Sequence, residues 1–428
     1  MWKAFFSIVL LMLSWGAFSA KTWGGESTRL VNVGLATNQT EIGLPLNGSE
    51  TILDLSSSPA QTVFQPGDQE TVTCSGDELF VNDIPVGTGP LLVISEANLL
   101  TWGSRSYRGM FLIMAQKGKL QLINRLELEE YLQGVVPREV SPSWAAAALK
   151  AQAIAARTYT YTSLKRHQDA GFDLCATDHC QVYGGAAAEY PSTNKAVMET
   201  KGQVLTYKGK IIGAFYHSSS GGFTEDAANV WGESSQYLKP VIDWDQNSPY
   251  TCWTRTLSWP DLQGLTTGAY PRIGRLKQLL PTAFGKDGRI LRLTLKGDLG
   301  EVSLSGNQFR GITGIPSSNM RFLMVYGPEP FITLDWINHQ QFPEVLVPSD
   351  IPGLTAEILN PPWDQPDPWA WLADKEPIKL VIRGAGWGHG VGLSQWGAKG
   401  MADFGYNEYQ ILAHYYPGSV ITPIDKLK

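Results

Sequence analysis

The chain has 428 residues, of which 17% are charged, with 44 glycines, 15 tryptophans and a formal net charge of −6. That length suffices to bury a real core in about two or three domains. Low charge with many aromatics excludes a disordered chain, and the acidic balance with no basic run excludes a nucleic-acid partner.

Met1–Lys3 is a short positive start, and Ala4–Trp15 is an apolar run too short to span a bilayer comfortably. Ala17 and Ser19 put small side chains at the positions that a processing peptidase reads. Residues 1–20 are therefore expected to be a secretory signal peptide, or an anchor if the signal is not cleaved. No later run is apolar enough to cross a membrane, so the expected location is exported, in the periplasm or cell wall. The cysteines are Cys74, Cys175, Cys180 and Cys252, and in an oxidising compartment this even count permits disulfides.

Residues 21–95 read as a small β-rich N-terminal unit. Short apolar runs (Thr51–Leu55, Glu70–Cys74, Leu91–Ser95) are separated by Gly, Pro, Asn, Asp and Ser. The rest, residues 96–428, reads as one larger domain, and the fold class is α+β. Tyr107–Met114 and Lys119–Asn124 are expected to pair around the turn Gln116–Gly118. Leu126–Leu132 is a short helix. Ser141 is then a candidate cap for a long alanine-rich helix, with Pro142 in its first turn and its end near His167.

Glu139 stands just before that helix among Val135, Val136, Val140 and Trp144. A carboxyl with such neighbours is expected to keep its proton toward neutral pH and so to act as a general acid. On the alanine-rich helix, Lys150 and Arg157 share one face by their spacing. Cys175, His179 and Cys180 lie within six residues. Two readings stay open: a disulfide between Cys175 and Cys180, or three ligands of a structural zinc with a fourth from elsewhere.

Val204–Tyr216 reads as a hairpin turned at Lys208–Gly209, feeding the polar glycine-rich loop His217–Thr224. A further β-rich region runs from Ile290 to Phe309. Residues 327–376 are rich in Pro and Trp and read as an insertion. The loop Gly384–Ala398 alternates glycine with polar residues, presenting His389, Ser394 and Gln395, and helices are expected over 398–404 and 406–416. The chain has neither the G-x-S-x-G elbow of a serine hydrolase nor a P-loop nor H-E-x-x-H.

Five blocks in this order resemble the SpoIID/LytB family: Tyr131–Glu139, Ala148–Tyr159, Asp178–Gly184, Tyr216–Gly222 with Tyr237 and Leu238, and Gly388–Ala398. The resemblance covers most of the chain from about residue 95 onward. It implies a lytic transglycosylase that cuts peptidoglycan glycan strands between N-acetylmuramic acid and N-acetylglucosamine and leaves 1,6-anhydro ends. No cofactor is required for that chemistry. The family's catalytic acid falls on Glu139 and its basic helix positions fall on Lys150 and Arg157. His217, Ser220, His389 and Gln395 are the other expected glycan ligands. The partner implied is peptidoglycan, with denuded strands preferred by sporulation members. Other members are amidase enhancers, so the alternative is a non-catalytic wall-binding protein that stimulates an N-acetylmuramoyl-L-alanine amidase. Val140 stands where the family usually has methionine.

Overall fold

The computed structural model describes residues 29–427 except 47, 49, 57–59, 65–68, 286–287, 327–330 and 334–375. The signal segment 1–20 and most of the insertion 327–376 lie outside the described residues. The chain divides into two compact units. The first holds the described residues up to Ala214 together with Asn407–Tyr409 and the segment from Val420 onward; the second holds Phe215–Tyr406 and Gln410–Ser419. Both mix helices with strands, as an α+β fold requires.

The first unit is built on a seven-stranded sheet. Its order is Leu174–Cys175, Leu30–Gln39, Lys119–Glu127, Met110–Gln116, Leu91–Ser95, Glu50–Asp54, Gln61–Phe64. At the expected boundary near residue 95, four of the earlier strands thus belong to the sheet that carries the later hairpin, whereas Glu41–Leu44, Glu70–Ser75, Glu78–Val81 and Ile84–Gly87 form a four-stranded sheet of their own. The hairpin is where its turn chemistry puts it, with Gln116 opposite Lys119 and both Lys117 and Gly118 at positive φ. Tyr107 falls in the preceding strand, Arg105–Arg108, because Gly109 breaks the run. A Cβ at Gly109 would lie 2.4 Å from the Arg125 carbonyl oxygen.

Three helices follow. α1 spans Leu128–Glu139, longer than expected, with Glu129 and Glu130 in its first turn and Arg138 in its last, the charge order that suits its dipole. Pro137 is accommodated because it sits in the last turn, and the Val140 N–H still reaches the Val136 carbonyl at 3.0 Å. α2 spans Ala146–Ser163. Its expected start is corrected: Ala145 precedes the helix without a side-chain cap, and the Ser141 hydroxyl instead lies 2.9 Å from that of Ser143. Its end comes at Ser163, before His167, where Leu164 turns to ψ 142°. Ala148, Ala151, Ala153, Ala155 and Ala156 are all buried, so α2 runs through the interior with neighbours on most sides. Small side chains allow that close approach. α3 spans Pro191–Glu199. Gln203–Tyr207 pairs with Lys210–Ile211 through Lys208 and Gly209, and with Val420–Pro423 on its other edge.

The second unit has a four-stranded sheet, Trp253–Ser258, Pro377–Gly384, Met320–Tyr326, Phe331–Thr333, and a three-stranded meander, Leu276–Phe284, Ile290–Gly297, Glu301–Ser305. Helices Trp259–Ala269 and Gly306–Thr313 complete a shared core containing Trp259, Leu262, Leu293, Phe309, Phe322 and Leu380. The expected strand character therefore stops at Ser305. Its hydroxyl and the Gln308 side chain form a reciprocal capping box that starts a helix there. Tyr216–His217 pairs in parallel with Leu393–Ser394. The helices expected near the end are Gln395–Asp403 and Glu408–Tyr415.

Candidate active site

Glu139 is the last residue of α1 and is half-buried. Val135, Val136 and Val140 around it are buried, as their apolar character demands. Its Oε1 accepts the Val182 N–H at 2.9 Å. That donor belongs to a strap, Cys180–Gly184, lying against α1 and α2. The Gln181 side chain is inside: its Oε1 accepts the Tyr131 hydroxyl at 3.2 Å and the Thr160 hydroxyl at 2.8 Å, and its amide donates to the Ala156 carbonyl at 3.3 Å. The Tyr183 hydroxyl donates to Asn124 at 2.8 Å, and the Gly184 N–H to the Gly134 carbonyl at 3.0 Å. Burial pushes the Tyr131 phenol well above its ordinary range, so it remains a donor. Gly134 is needed at this crossing, because a Cβ there would lie 2.6 Å from a Tyr183 ring carbon.

The two expected cations part company. Lys150 is partly exposed and pairs with Glu199 at 2.7 Å and Glu408 at 4.0 Å; the bond to Glu199 raises its pKa. Arg157 has no exposed surface. Its Nε and Nη2 grip both oxygens of Glu129 at 2.9 and 2.7 Å. Nη2 also donates to the Val197 carbonyl at 3.0 Å, and Nη1 to Gln203 O and the Thr200 hydroxyl at 3.3 Å each. The expected glycan contact of Arg157 is thus corrected: a guanidinium enclosed this way binds α1, α3 and the strand at Gln203 together.

The cysteine–histidine group closes with a residue that the sequence reading missed. His167 joins Cys175, His179 and Cys180, and their donor atoms all lie within 4.8 Å of one another. Cys180 Sγ is 3.3 Å from His167 Nε2 and 3.7 Å from His179 Nδ1, and Cys175 Sγ is 3.6 Å from that same nitrogen. Tetrahedral zinc at ordinary bond lengths separates its ligands by about 3.3–3.8 Å, so this donor set fits zinc. Cys175 and Cys180 are free, so the competing disulfide is not formed. Burial lowers the His167 pKa and favours the neutral imidazole that a metal needs, and burial pushes the Cys180 thiol up to about 11. The fourth ligand was hidden because the chain doubles back between it and Cys175. A turn of 3₁₀ helix at Gln168–Ala170 and Gly171 at positive φ bring Phe172 against the His167 ring.

The remaining expected residues belong to the second unit. Ser220 is fully buried, with its hydroxyl on Asp243 and its carbonyl oxygen accepting Arg289 at 2.7 Å. Asp243 also accepts the Tyr415 hydroxyl at 2.6 Å, and Asp245 accepts Ser219 at 2.5 Å and the Gly221 N–H at 2.7 Å. His217 is buried, with Nδ1 3.2 Å from the Val391 carbonyl, and Gln395 is buried at the start of its helix. As glycan ligands, Ser220, His217 and Gln395 are corrected: burial keeps them from solvent, and they shape the loops. His389 is half-buried and accepts the Val391 N–H on Nδ1 at 3.1 Å. Burial drives the His217 pKa down to about 3 and holds that of His389 well below the usual range, so both rings are neutral. Beside them stand aromatics that the sequence reading passed over. Trp231 is 43% exposed and packs on Phe215 and His389, and Trp387 is 42% exposed and packs on Tyr250.

Comparison with known proteins adds independent findings. The family model described as "Stage II sporulation protein" matches residues 116–207, which include Glu139, Arg157 and the four metal-type ligands. An uncharacterized protein of Brachyspira hyodysenteriae is 29% identical over 341 residues, covering 78% of this chain and 77% of its own. An amidase enhancer of Bacillus subtilis is 31% identical over 304 residues, 68% of this chain, and this chain spans only 40% of it. Stage II sporulation protein D of Bacillus subtilis is 26% identical over 324 residues, 71% of this chain and 77% of its own.

Proposed function

Because the chain belongs to the SpoIID/LytB family, we propose that it acts on the bacterial cell wall as a lytic transglycosylase, with Glu139 as its acid and base. The observation that carries this reading is the placement of Glu139: half-buried at the end of α1, with one carboxylate oxygen oriented by the Val182 N–H. Most glycosidases need two carboxyl groups. A lytic transglycosylase needs one, because the 6-hydroxyl of N-acetylmuramic acid is an internal nucleophile of high effective concentration. Glu139 gives a proton to the bridging oxygen, and the bond from the muramic C1 to that oxygen breaks. The 6-hydroxyl oxygen then bonds to C1 and returns its proton to Glu139, leaving a 1,6-anhydro end. Trp231 and Trp387 suit the apolar faces of sugar rings.

His167, Cys175, His179 and Cys180 would hold a structural zinc, which supplies folding energy and takes no part in the proton transfers. The protein acts outside the cytoplasmic membrane in this reading; among the described residues no helix is long and apolar enough to cross one.

Purified peptidoglycan incubated with the protein should release 1,6-anhydro-muropeptides by mass spectrometry, and Glu139→Gln should stop their release while glycan binding persists. Reducing muramic ends in place of anhydro ends would overturn the reading. The second reading, an amidase enhancer, is favoured by the likeness to the Bacillus subtilis protein of that name. It predicts no cleavage by the protein alone and amidase stimulation that survives Glu139→Gln.

A further inference from the structure

We infer that Gln152 is a positioning residue for Glu139: its side-chain amide turns to donate to the carboxylate once Glu139 has given up its proton. This rests on the reading of Glu139 as the catalytic acid.

Gln152 is 1% exposed, and neither its Oε1 nor its Nε2 has a hydrogen-bond partner among the described residues. Among those residues no other side chain has two such atoms. Leaving both ends of a buried amide unpaired is costly. An apolar side chain of the same shape would fill the space without that cost. A polar group kept inside a helix bundle on such terms calls for a task.

Its place on α2 says which task. Gln152, Ala156 and Thr160 follow at four-residue spacing and share one face. That face meets the Gln181 side chain, which bonds the Ala156 carbonyl, the Thr160 hydroxyl and, from α1, the Tyr131 hydroxyl. Tyr131 and Thr160 are therefore nearly level. From there the two helices run antiparallel. In a parallel pair Glu139 and Ala146 would lie about 33 Å apart along the axes. The seven residue steps that join them reach at most about 25 Å. Eight residues forward along α1 is Glu139, and eight back along α2 is Gln152, each about 12 Å from the level of Gln181. The acid and the unpaired amide thus come level to within about a turn.

An unpaired amide suits a carboxyl that works twice. While Glu139 holds its proton the amide makes no bond to it, so nothing extra stabilises the resting state. As the proton passes to the bridging oxygen, negative charge appears on the carboxylate and the Nε2–H of Gln152 turns to meet it. An interaction made only as charge develops lowers the barrier without tightening substrate binding. When the 6-hydroxyl returns its proton, the bond is released. No partner fixes either end of the amide, so it can turn.

The test uses the full chain with Gln152→Met, which keeps the length of the side chain and removes both polar ends, and Gln152→Leu as a second apolar variant. The Glu139 carboxyl is titrated by carbon NMR with labelled glutamate, its signal assigned by its loss in Glu139→Gln. Removing a donor to the ionised form should raise the pH of half-protonation by about one unit. The kcat for anhydro-end release should fall about 10–100-fold with KM little changed, and its alkaline limb should move to higher pH with the NMR titration. Both variants should melt at or above the parental temperature, because an unpartnered amide has been removed. The other ionisable groups on these elements are Tyr131 and Arg138 on α1, Lys150 and Tyr159 on α2, and Cys180 and Tyr183 on the strap. They are the same in parent and variant, so a changed Glu139 titration belongs to Gln152. An unchanged titration overturns the inference, as does full kcat in both variants. Melting of both well below the parent overturns it too, since the amide would then be paired within the fold. A raised Glu139 titration with no anhydro product from any sample would sink the transglycosylase reading and leave the pairing of Gln152 with Glu139 standing.

Discussion

Glu129 and Arg157 are joined by two parallel hydrogen bonds inside the first unit, with the arginine wholly removed from solvent. Glu129 opens the helix that Glu139 closes, so this pair fixes the far end of the element carrying the proposed acid.

Breaking one side of that pair should be severe. Glu129→Gln or Arg157→Met strands a buried charge or its polar partners and should cost about 3–5 kcal/mol. The double variant Glu129→Met with Arg157→Met should recover a large part of the loss. Denaturant melts of the three proteins check this; additive losses would show that the pair is not the unit of stability.

Gly134 is where the strap crosses α1. Gly134→Ala forces its Cβ toward the Tyr183 ring, at an expected cost of about 1–3 kcal/mol. Glycan cleavage should fall more than stability does, because Tyr183 adjoins Val182. A variant that loses stability but cleaves at the parental rate would contradict this.

Acid should weaken the second unit through His217. Unfolded, its imidazole takes up a proton near the ordinary histidine value of 6.5; folded, only at about 3. Between those limits the unfolded chain binds more protons, so stability is full above 6.5 and declines as pH falls. At pH 5 the loss is about 2 kcal/mol from this group. His217→Asn, which can still donate to Val391, should flatten the decline between pH 6.5 and 4.5 in thermal melts. An equally steep decline in the variant would assign the effect to other groups.

Trp231 and Trp387 should matter to binding and little to folding. Alanine at either should weaken affinity for soluble glycan strands about 3- to 10-fold with a melting temperature near that of the parent. Isothermal titration settles it, and unchanged affinity in both variants would remove them from the glycan surface.

The Met110–Glu127 hairpin was legible because Lys117–Gly118 states its own turn type. The alanine-rich helix was legible in existence but not in its limits. Ser141 and Pro142 have the chemistry of a helix start, yet the helix waits until Ala146. The division into units escaped the reading altogether, since strands before residue 95 find their partners after residue 110. The periodicity of α2 put Lys150 and Arg157 on one face, but periodicity carries no information on what covers that face. Glu129 lies 28 residues from Arg157 in the chain and directly upon it in space.

Local chemistry could be read off the chain: the motif blocks, the acid at Glu139, the thiols and imidazole at 175–180, and the turns that glycine makes. Those features depend on residue type and short spacing, which a sequence states outright. Which polar groups meet water and which meet each other was decided by packing. Folding closed His167 onto the cysteines, buried Arg157, Ser220 and His217 among partners distant in sequence, and laid the Val182 N–H on Glu139. Burial and long-range hydrogen bonds depend on every neighbouring element at once, and no window of sequence contains those neighbours.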